Sequence, residues 1–318
     1  MADTSDPDGG ARVIGDERIG RVEEPIFFDA GGESLFGILT GPSSRASGTI
    51  AIVLPAGGTV STDRNRVAVR LCRHLADLGF HSLRFDYHGV GESGGVAPRF
   101  RLDEPFTADL LGAAAWARRS GFGAVALIGS CFGARTALAC AGDIEDLVGV
   151  VLLAAPVRDY EMGERLATGI AAGNGLSHHA RLALDPRVVA RLLDPAKRRA
   201  YARLARNAWR GMTIRARHRR NESGVEASPR FVEPLAQLVH RSIPTLLVYG
   251  SADALWDEFR KMRSGSLGRL LAGAETVDLM TPAGEVHGFK SVAIQDAVID
   301  GVGGWLQRLP SRVAVPSP

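Results

Sequence analysis

Residues 125–134 read Val-Ala-Leu-Ile-Gly-Ser-Cys-Phe-Gly-Ala, and no other stretch constrains the chain as tightly. An apolar run from Val125 to Ile128 strikes Gly129, Gly133 follows four residues later, and a helix-favouring segment begins at Ala134. That order predicts a strand, a sharp turn and a helix, with Cys131 at the apex. Without a Cβ at 129 and 133, strand and helix approach closely and the turn takes a strained backbone. The helix aims its free N–H groups and positive dipole end at residue 131, which favours a thiolate. On these ten residues alone two readings stand: a presented nucleophile, or a small buried residue in an ordinary strand-to-helix turn.

The surrounding pattern alternates strand and helix. Strand candidates at 24–30 and 34–40 flank Gly31-Gly32, a hairpin signal. Residues 49–54 form a continuous apolar run, as for a strand buried on both faces, and end in Pro55-Ala56-Gly57-Gly58. Val67, Leu71, Leu75 and Leu78 recur at helical spacing and predict a helix over 64–78 that stops at Gly79. Strands follow at 81–85, 125–128, 148–153, 245–249 and 276–280, with helices at 107–119, 134–141 and 292–309. This is the signature of an α/β fold with a mostly parallel central sheet and helices on both faces. Between Pro156 and residue 240 the pattern holds helices and no convincing strand. The expected organisation is a flexible leader (1–20), a core (21–156 and 241–310), a helical insertion (157–240) and a tail (311–318).

Composition narrows the class. Hydrophobic content of 45% and charged content of 23% are those of an ordinary globular protein. The three cysteines are few, odd in number and outside CxxC spacing, which argues for reduced thiols in a cytoplasmic setting. No secretory signal, membrane span or metal-ligand spacing is legible. No feature specifies an oligomeric state.

A nucleophile at such a turn needs a base, and the base an orienting acid. Gly250-Ser251-Ala252-Asp253 follows one late strand, and Gly284-Glu285-Val286-His287-Gly288-Phe289 follows the last. In a parallel sheet all strand C-termini lie on one side, so Cys131, Asp253 and His287 are expected to converge there. Asp257 and Glu258 are alternative acids, disfavoured by their distance from the strand end.

Over residues 22–309 the chain resembles the α/β-hydrolase fold family, nearest its serine-aminopeptidase-like and dienelactone-hydrolase-like branches. The resemblance rests on the elbow Gly129-Ser130-Cys131-Phe132-Gly133, on the loop from Arg84-Phe85-Asp86-Tyr87-His88 to Gly89-Val90-Gly91-Glu92-Ser93, and on Asp253 and His287 in that order. It implies that 157–240 caps the site, and that backbone N–H groups of Gly57, or Ala56 beside it, and of Phe132 form the oxyanion hole. The chain departs from the pattern by Pro55-Ala56-Gly57-Gly58 where many members carry His-Gly, and by Cys131 where most carry Ser. The expected activity is cleavage of an ester or acyl thioester without cofactor or metal. Acyl transfer from a coenzyme A or carrier-protein thioester to an amine or alcohol is the alternative. A non-catalytic binding protein on the same fold is the third reading.

The remaining features are weaker. Trp256 and Trp209 either line an acyl pocket or pack as core. Asp86, Ser93 and His88 are expected to shape their loop, His178 and His179 to be ordinary surface residues, and Cys72 and Cys140 to be core. In the insertion Arg199, Arg203, Arg206 and Arg210 fall on one helical stripe with no acidic residue from 196 to 220. A solvated face is the ordinary meaning of such charge; the sharper reading is a docking face for coenzyme A phosphates, an acidic carrier protein or a carboxylate substrate. No nucleic-acid reading motif accompanies it.

Overall fold

The computed structural model describes residues 14–16, 20–43, 48–96, 99–159 and 226–309. The chain divides into two compact units, 1–158 with 227–318, and Asp159–Glu226. Nearly all of the second unit lies outside the described residues, and with it Arg199, Arg203, Arg206, Arg210, Trp209, His178 and His179. The tail 311–318 and most of the leader lie outside them as well.

The first unit is built on a nine-stranded sheet among the described residues. Its antiparallel end comes first. Strand β1 (Ile14–Asp16), within the stretch expected as a leader, pairs with the start of β2 (Arg21–Ala30). Strands β2 and β3 (Glu33–Pro42) make a hairpin through Gly31 and Gly32, at φ 65° and 89°. Two consecutive left-handed residues are what a two-residue hairpin turn demands, and glycine meets that demand without a Cβ penalty.

The parallel strands follow: β4 (Thr49–Leu54), β5 (His81–Phe85), β6 (Ala124–Ser130), β7 (Leu147–Leu153), β8 (Thr245–Val248) and β9 (Val277–Met280). The sheet order is β1-β2-β3-β5-β4-β6-β7-β8-β9, antiparallel from β1 to β5 and parallel from β5 to β9. Strands β4, β6 and β7 are buried along their whole length, which is why they read as continuous apolar runs.

Helix α1 (Val67–Asp77) packs against the last helix, while α2 (Thr107–Arg119) packs on α3 (Phe132–Cys140). Helix α4 (Pro229–His240) also packs on α3. It belongs to the first unit, so the boundary expected at 240 falls near 227. The physical reason is its amphipathic face. Phe231, Leu235 and Leu238 are buried, contributing about 1.5–3 kcal/mol each, and Ser228 caps the helix by accepting from Arg230 N–H. The second unit departs and returns at one point: Ser228 N–H donates to the Val157 carbonyl at 2.8 Å. The buried Arg135 and Tyr249 pin that stem, donating to the carbonyls of Pro156 (3.1 Å) and Ala155 (2.8 Å). The chain closes with α5 (Ala254–Met262), α6 (Ser266–Ala272) and α7 (Val292–Gln307).

The chain steps outward from β4 to β5 on one side and to β6 on the other. In open parallel sheets ligands usually bind at such a reversal, beyond the C-terminal strand ends. No helix among the described residues is long and apolar enough to cross a membrane.

Candidate active site

The turn between β6 and α3 is as tight as its glycines require. Cys131 sits at its apex with φ 50° and ψ −104°, a backbone region that costs a residue with a Cβ about 1–3 kcal/mol. Its surroundings enforce this conformation. The Cys131 N–H donates to the Leu153 carbonyl at 2.9 Å, and its own carbonyl accepts from Arg135 N–H at 3.3 Å. A Cβ on Gly133 would stand 2.5 Å from the Leu54 carbonyl oxygen, and one on Gly129 would run into the backbone of Gly133. Helix α3 is thus pressed against the end of β4.

The loop leaving β4 lies against the same turn. Thr59 folds it back, with its hydroxyl donating to the Ala56 carbonyl at 2.7 Å, and Gly58 takes φ 74°. A Cβ on Gly57 would meet that of Phe132 at 3.1 Å, so the two backbones are neighbours. Phe132 opens α3, where an N–H has no acceptor within the helix. Phe100, Phe106 and Tyr87 surround the Phe132 ring at centroid distances of 5.1, 4.8 and 5.8 Å.

Asp253 follows β8 and is 2% exposed. Its Oδ2 accepts from the backbone N–H groups of Gly250 (2.7 Å) and Val286 (3.2 Å), and its Oδ1 from that of His287 (3.1 Å). Burial pushes its carboxyl above the ordinary aspartate value, against the three N–H donors that pull it down. Gly250 is needed here, because a Cβ would approach Val286 N to 2.6 Å. The carboxylate therefore fixes the backbone of the loop that carries His287.

Residues 63–66 tie that loop to the one that leaves β4. The buried Asp63 lines one small cavity with Ser130 and caps Arg64 N–H at 2.7 Å. Arg64 Nη1 donates to the His287 carbonyl at 2.7 Å and stands 3.3 Å from His287 Nε2. Asn65 Nδ2 donates to the carbonyls of Gly288 (3.2 Å) and Phe289 (3.1 Å). The loop after β4 thus touches both the turn that carries Cys131 and the loop that carries His287. A strained cysteine, two adjacent backbones beneath it, an imidazole and a buried carboxylate occupy one edge of the sheet.

A family model described as serine aminopeptidase, S33 matches residues 53–264, from within β4 through α5. The chain belongs to the serine aminopeptidase S33 family. Its fold is the α/β-hydrolase fold. It is similar to the Pyrococcus furiosus esterase Pf2001 at a TM-score of 0.60 and 16% identity, over 94% of this chain and 96% of that one. Est1E from Butyrivibrio proteoclasticus, a structure with ferulic acid bound, matches at 0.54 and 16%, over 89% and 98%. A proline iminopeptidase from Mycobacterium smegmatis matches at 0.51 and 16%, over 90% and 98%. No curated protein matches the sequence.

In this S33-family chain Cys131 occupies the centre of the elbow, with Ser130 one position earlier. The alternative acid Asp257 is exposed on α5 and pairs with Arg260. Trp256 stacks on Phe259 at 5.8 Å, with the Arg260 guanidinium 5.6 Å from its ring. Asp86 and Ser93 shape their loop: Asp86 accepts from Ser61 and Glu92 N–H, and Ser93 Oγ bridges the Asp86 carbonyl and Phe36 N–H. His88 Nδ1 lies 2.9 Å from the buried Asp109 carboxylate. Sequence reasoning missed the role of Asp63 and read residues 64–66 as the first turn of a helix. The structure instead has a separate 3-10 turn at Arg64–Arg66, broken from α1 by left-handed Asn65 (φ 51°) and Arg66 (φ 60°). The one available signal was Asn65, since asparagine tolerates that backbone region better than most.

Proposed function

We propose that this chain cleaves carboxylic esters or acyl thioesters through a covalent acyl-enzyme on Cys131. His287 takes the thiol proton at Nε2 as the sulfur attacks the acyl carbon. The oxyanion forms against the N–H groups of Gly57 and Phe132. His287 then hands the proton to the departing alkoxide or thiolate, leaving a thioester on Cys131. Water, deprotonated by His287, attacks that thioester; the acid departs and the thiol is restored. Asp253 holds His287 in position throughout.

The observation that carries this reading is the left-handed backbone of Cys131 at the β6–α3 turn, backed by Gly57 against Phe132. Strain of this kind persists where the fold over-determines it, and it clusters at reacting groups. Two of the similar folds are named as esterases. The family's name points to peptide bonds instead. An amide nitrogen, unless fully protonated, leaves a tetrahedral intermediate less readily than the Cys131 thiolate, so esters and thioesters suit the sulfur better.

The sulfur also favours a second reading. A thioester exchanges with another thioester at little cost and acylates amines readily, so acyl transfer uses the same five residues. Intact-mass spectrometry after mixing with acyl thioesters and nitrophenyl esters tests both. We expect a transient acyl adduct on Cys131, absent in Cys131→Ala together with turnover. Decay of the adduct with and without an added amine separates hydrolysis from transfer. Normal turnover in Cys131→Ala would overturn the assignment.

A further inference from the structure

Arg64 is a cation set against the working nitrogen of the site. Its Nη1 is 3.3 Å from His287 Nε2 and bonds the His287 carbonyl at 2.7 Å. A guanidinium only donates, so a hydrogen bond between the two needs Nε2 as its acceptor. The side chain is held there deliberately. Asp63 caps its backbone N–H, Asn65 grips the carbonyls of Gly288 and Phe289, and three residues around it adopt positive φ (Asp63 52°, Asn65 51°, Arg66 60°). Among the described residues no carboxylate lies within ion-pair distance of its guanidinium, whereas Arg70, Arg73 and Arg101 nearby in the sequence each have one.

We propose that Arg64 is a specificity residue that reads a carboxylate on the leaving group of the substrate. This rests on the catalytic reading above, in which Nε2 protonates the departing atom. A cation one hydrogen bond from Nε2 therefore lies beside the leaving group rather than the acyl chain. An anionic group two to four bonds from the departing oxygen or sulfur falls within its reach; the phosphates of coenzyme A, many bonds from the thioester, do not. The substrate class is an ester or thioester of a hydroxy or mercapto acid. Pairing with that carboxylate also draws the guanidinium off Nε2 and frees the nitrogen for the Cys131 thiol.

The test is a matched pair: the butyryl thioester of 3-mercaptopropionate and the same compound with its carboxylate methylated. Butyrate release is followed chromatographically for wild type, Arg64→Met and Arg64→Lys, with thermal melts as a check on folding. Wild type is expected to prefer the anionic member in kcat/KM. Arg64→Met should lower that preference ten- to a hundredfold, the loss of one charge-assisted hydrogen bond of ordinary strength, and Arg64→Lys should retain part of it. High salt should shrink the wild-type preference. An equal effect of Arg64→Met on both members, or a wild type without preference, overturns the inference while leaving the catalytic reading intact. No turnover or adduct with either member removes the catalytic reading and this inference with it. If Arg64→Met fails to fold, the salt dependence and Arg64→Lys decide.

Discussion

Asp253→Asn separates the architectural and chemical roles of one carboxylate. In the wild type Oδ2 serves two backbone donors, Gly250 and Val286, and Oδ1 serves one, His287. An asparagine keeps its oxygen where two N–H groups point and turns its NH₂ toward the third. The His287 N–H then faces a donor and is orphaned at a cost of about 1–3 kcal/mol. The mutation also removes a buried charge, which offsets part of that cost. The expected net destabilisation at pH 8 is about 1–2 kcal/mol, or roughly 2–4 °C in Tm per kcal/mol for a domain of this size. The loss of rate should exceed the loss of stability, at least about tenfold, because the backbone that carries His287 loses a bond that positions it. The pH dependence has a definite sign. Burial raises the folded pKa of Asp253 above the ordinary 3.8. Below 3.8 both folded and unfolded wild type are neutral at this site. As pH rises the unfolded chain ionises first, so wild-type stability falls until pH passes the folded value. Asp253→Asn has no such slope, so the stability gap between the two is widest near pH 4 and narrows above. Urea titrations at pH 4 and 8, with steady-state turnover at pH 8, measure all of this. A variant that turns over within tenfold of wild type, or a gap that widens with pH, would refute the reasoning.

Two further outcomes follow from packing and burial. Gly133→Ala places a Cβ 2.5 Å from the Leu54 carbonyl oxygen, so α3 must retreat from β4 and carry Phe132 N–H away from Gly57. We expect a loss of about 1–3 kcal/mol in denaturant titration and a fall in kcat larger than any rise in KM; a fully active, fully stable variant would show that the elbow is looser than its geometry. Burial pushes the Cys72 thiol up to about 11 and the Cys140 thiol up to about 12. At pH 8 iodoacetamide should therefore leave both untouched in the folded protein and alkylate them only in urea, as read by peptide mass spectrometry.

What the sequence disclosed, and what it hid, divides by the kind of physics involved. The buried strands were legible where solvent exclusion on both faces leaves a continuous apolar run: 49–54 coincides with β4. The elbow was legible because two backbone approaches demand glycine at 129 and 133. Asp253 was legible as a carboxylate just past a strand end. Helices α5 and α6 were not read. The residue heading α5 is Asp253, whose side chain turns back to Gly250, Val286 and His287 and makes no cap to the helix. Residues 64–66 were misread because Val67, Leu71 and Leu75 do form a helix, and periodicity carries no mark of where its first turn breaks. Contacts between residues far apart in the chain, Arg64 with His287 among them, leave no periodic trace at all.

The distribution of backbone strain argues that these long-range contacts matter. Among the described residues, the non-glycine positions with positive φ are Asp63, Asn65, Arg66, Cys131, Ala154, Ser242 and Phe289. All but Ser242 stand in or beside the loops that leave β4, β6, β7 and β9 at the C-terminal edge of the sheet. Each costs of the order of 1–3 kcal/mol, and a fold without use for that edge would relax them by substitution to glycine or by a longer loop. Four of them are countered by a bond across the edge: Cys131 N–H to Leu153, Ala154 N–H to Val248, and Asn65 to Gly288 and Phe289. The strain and the bonds form one lattice, with the loop after β4 at its centre. Bonds of this kind hold the backbone that carries Cys131, Arg64 and His287 in one geometry, the condition that the proposed catalysis requires.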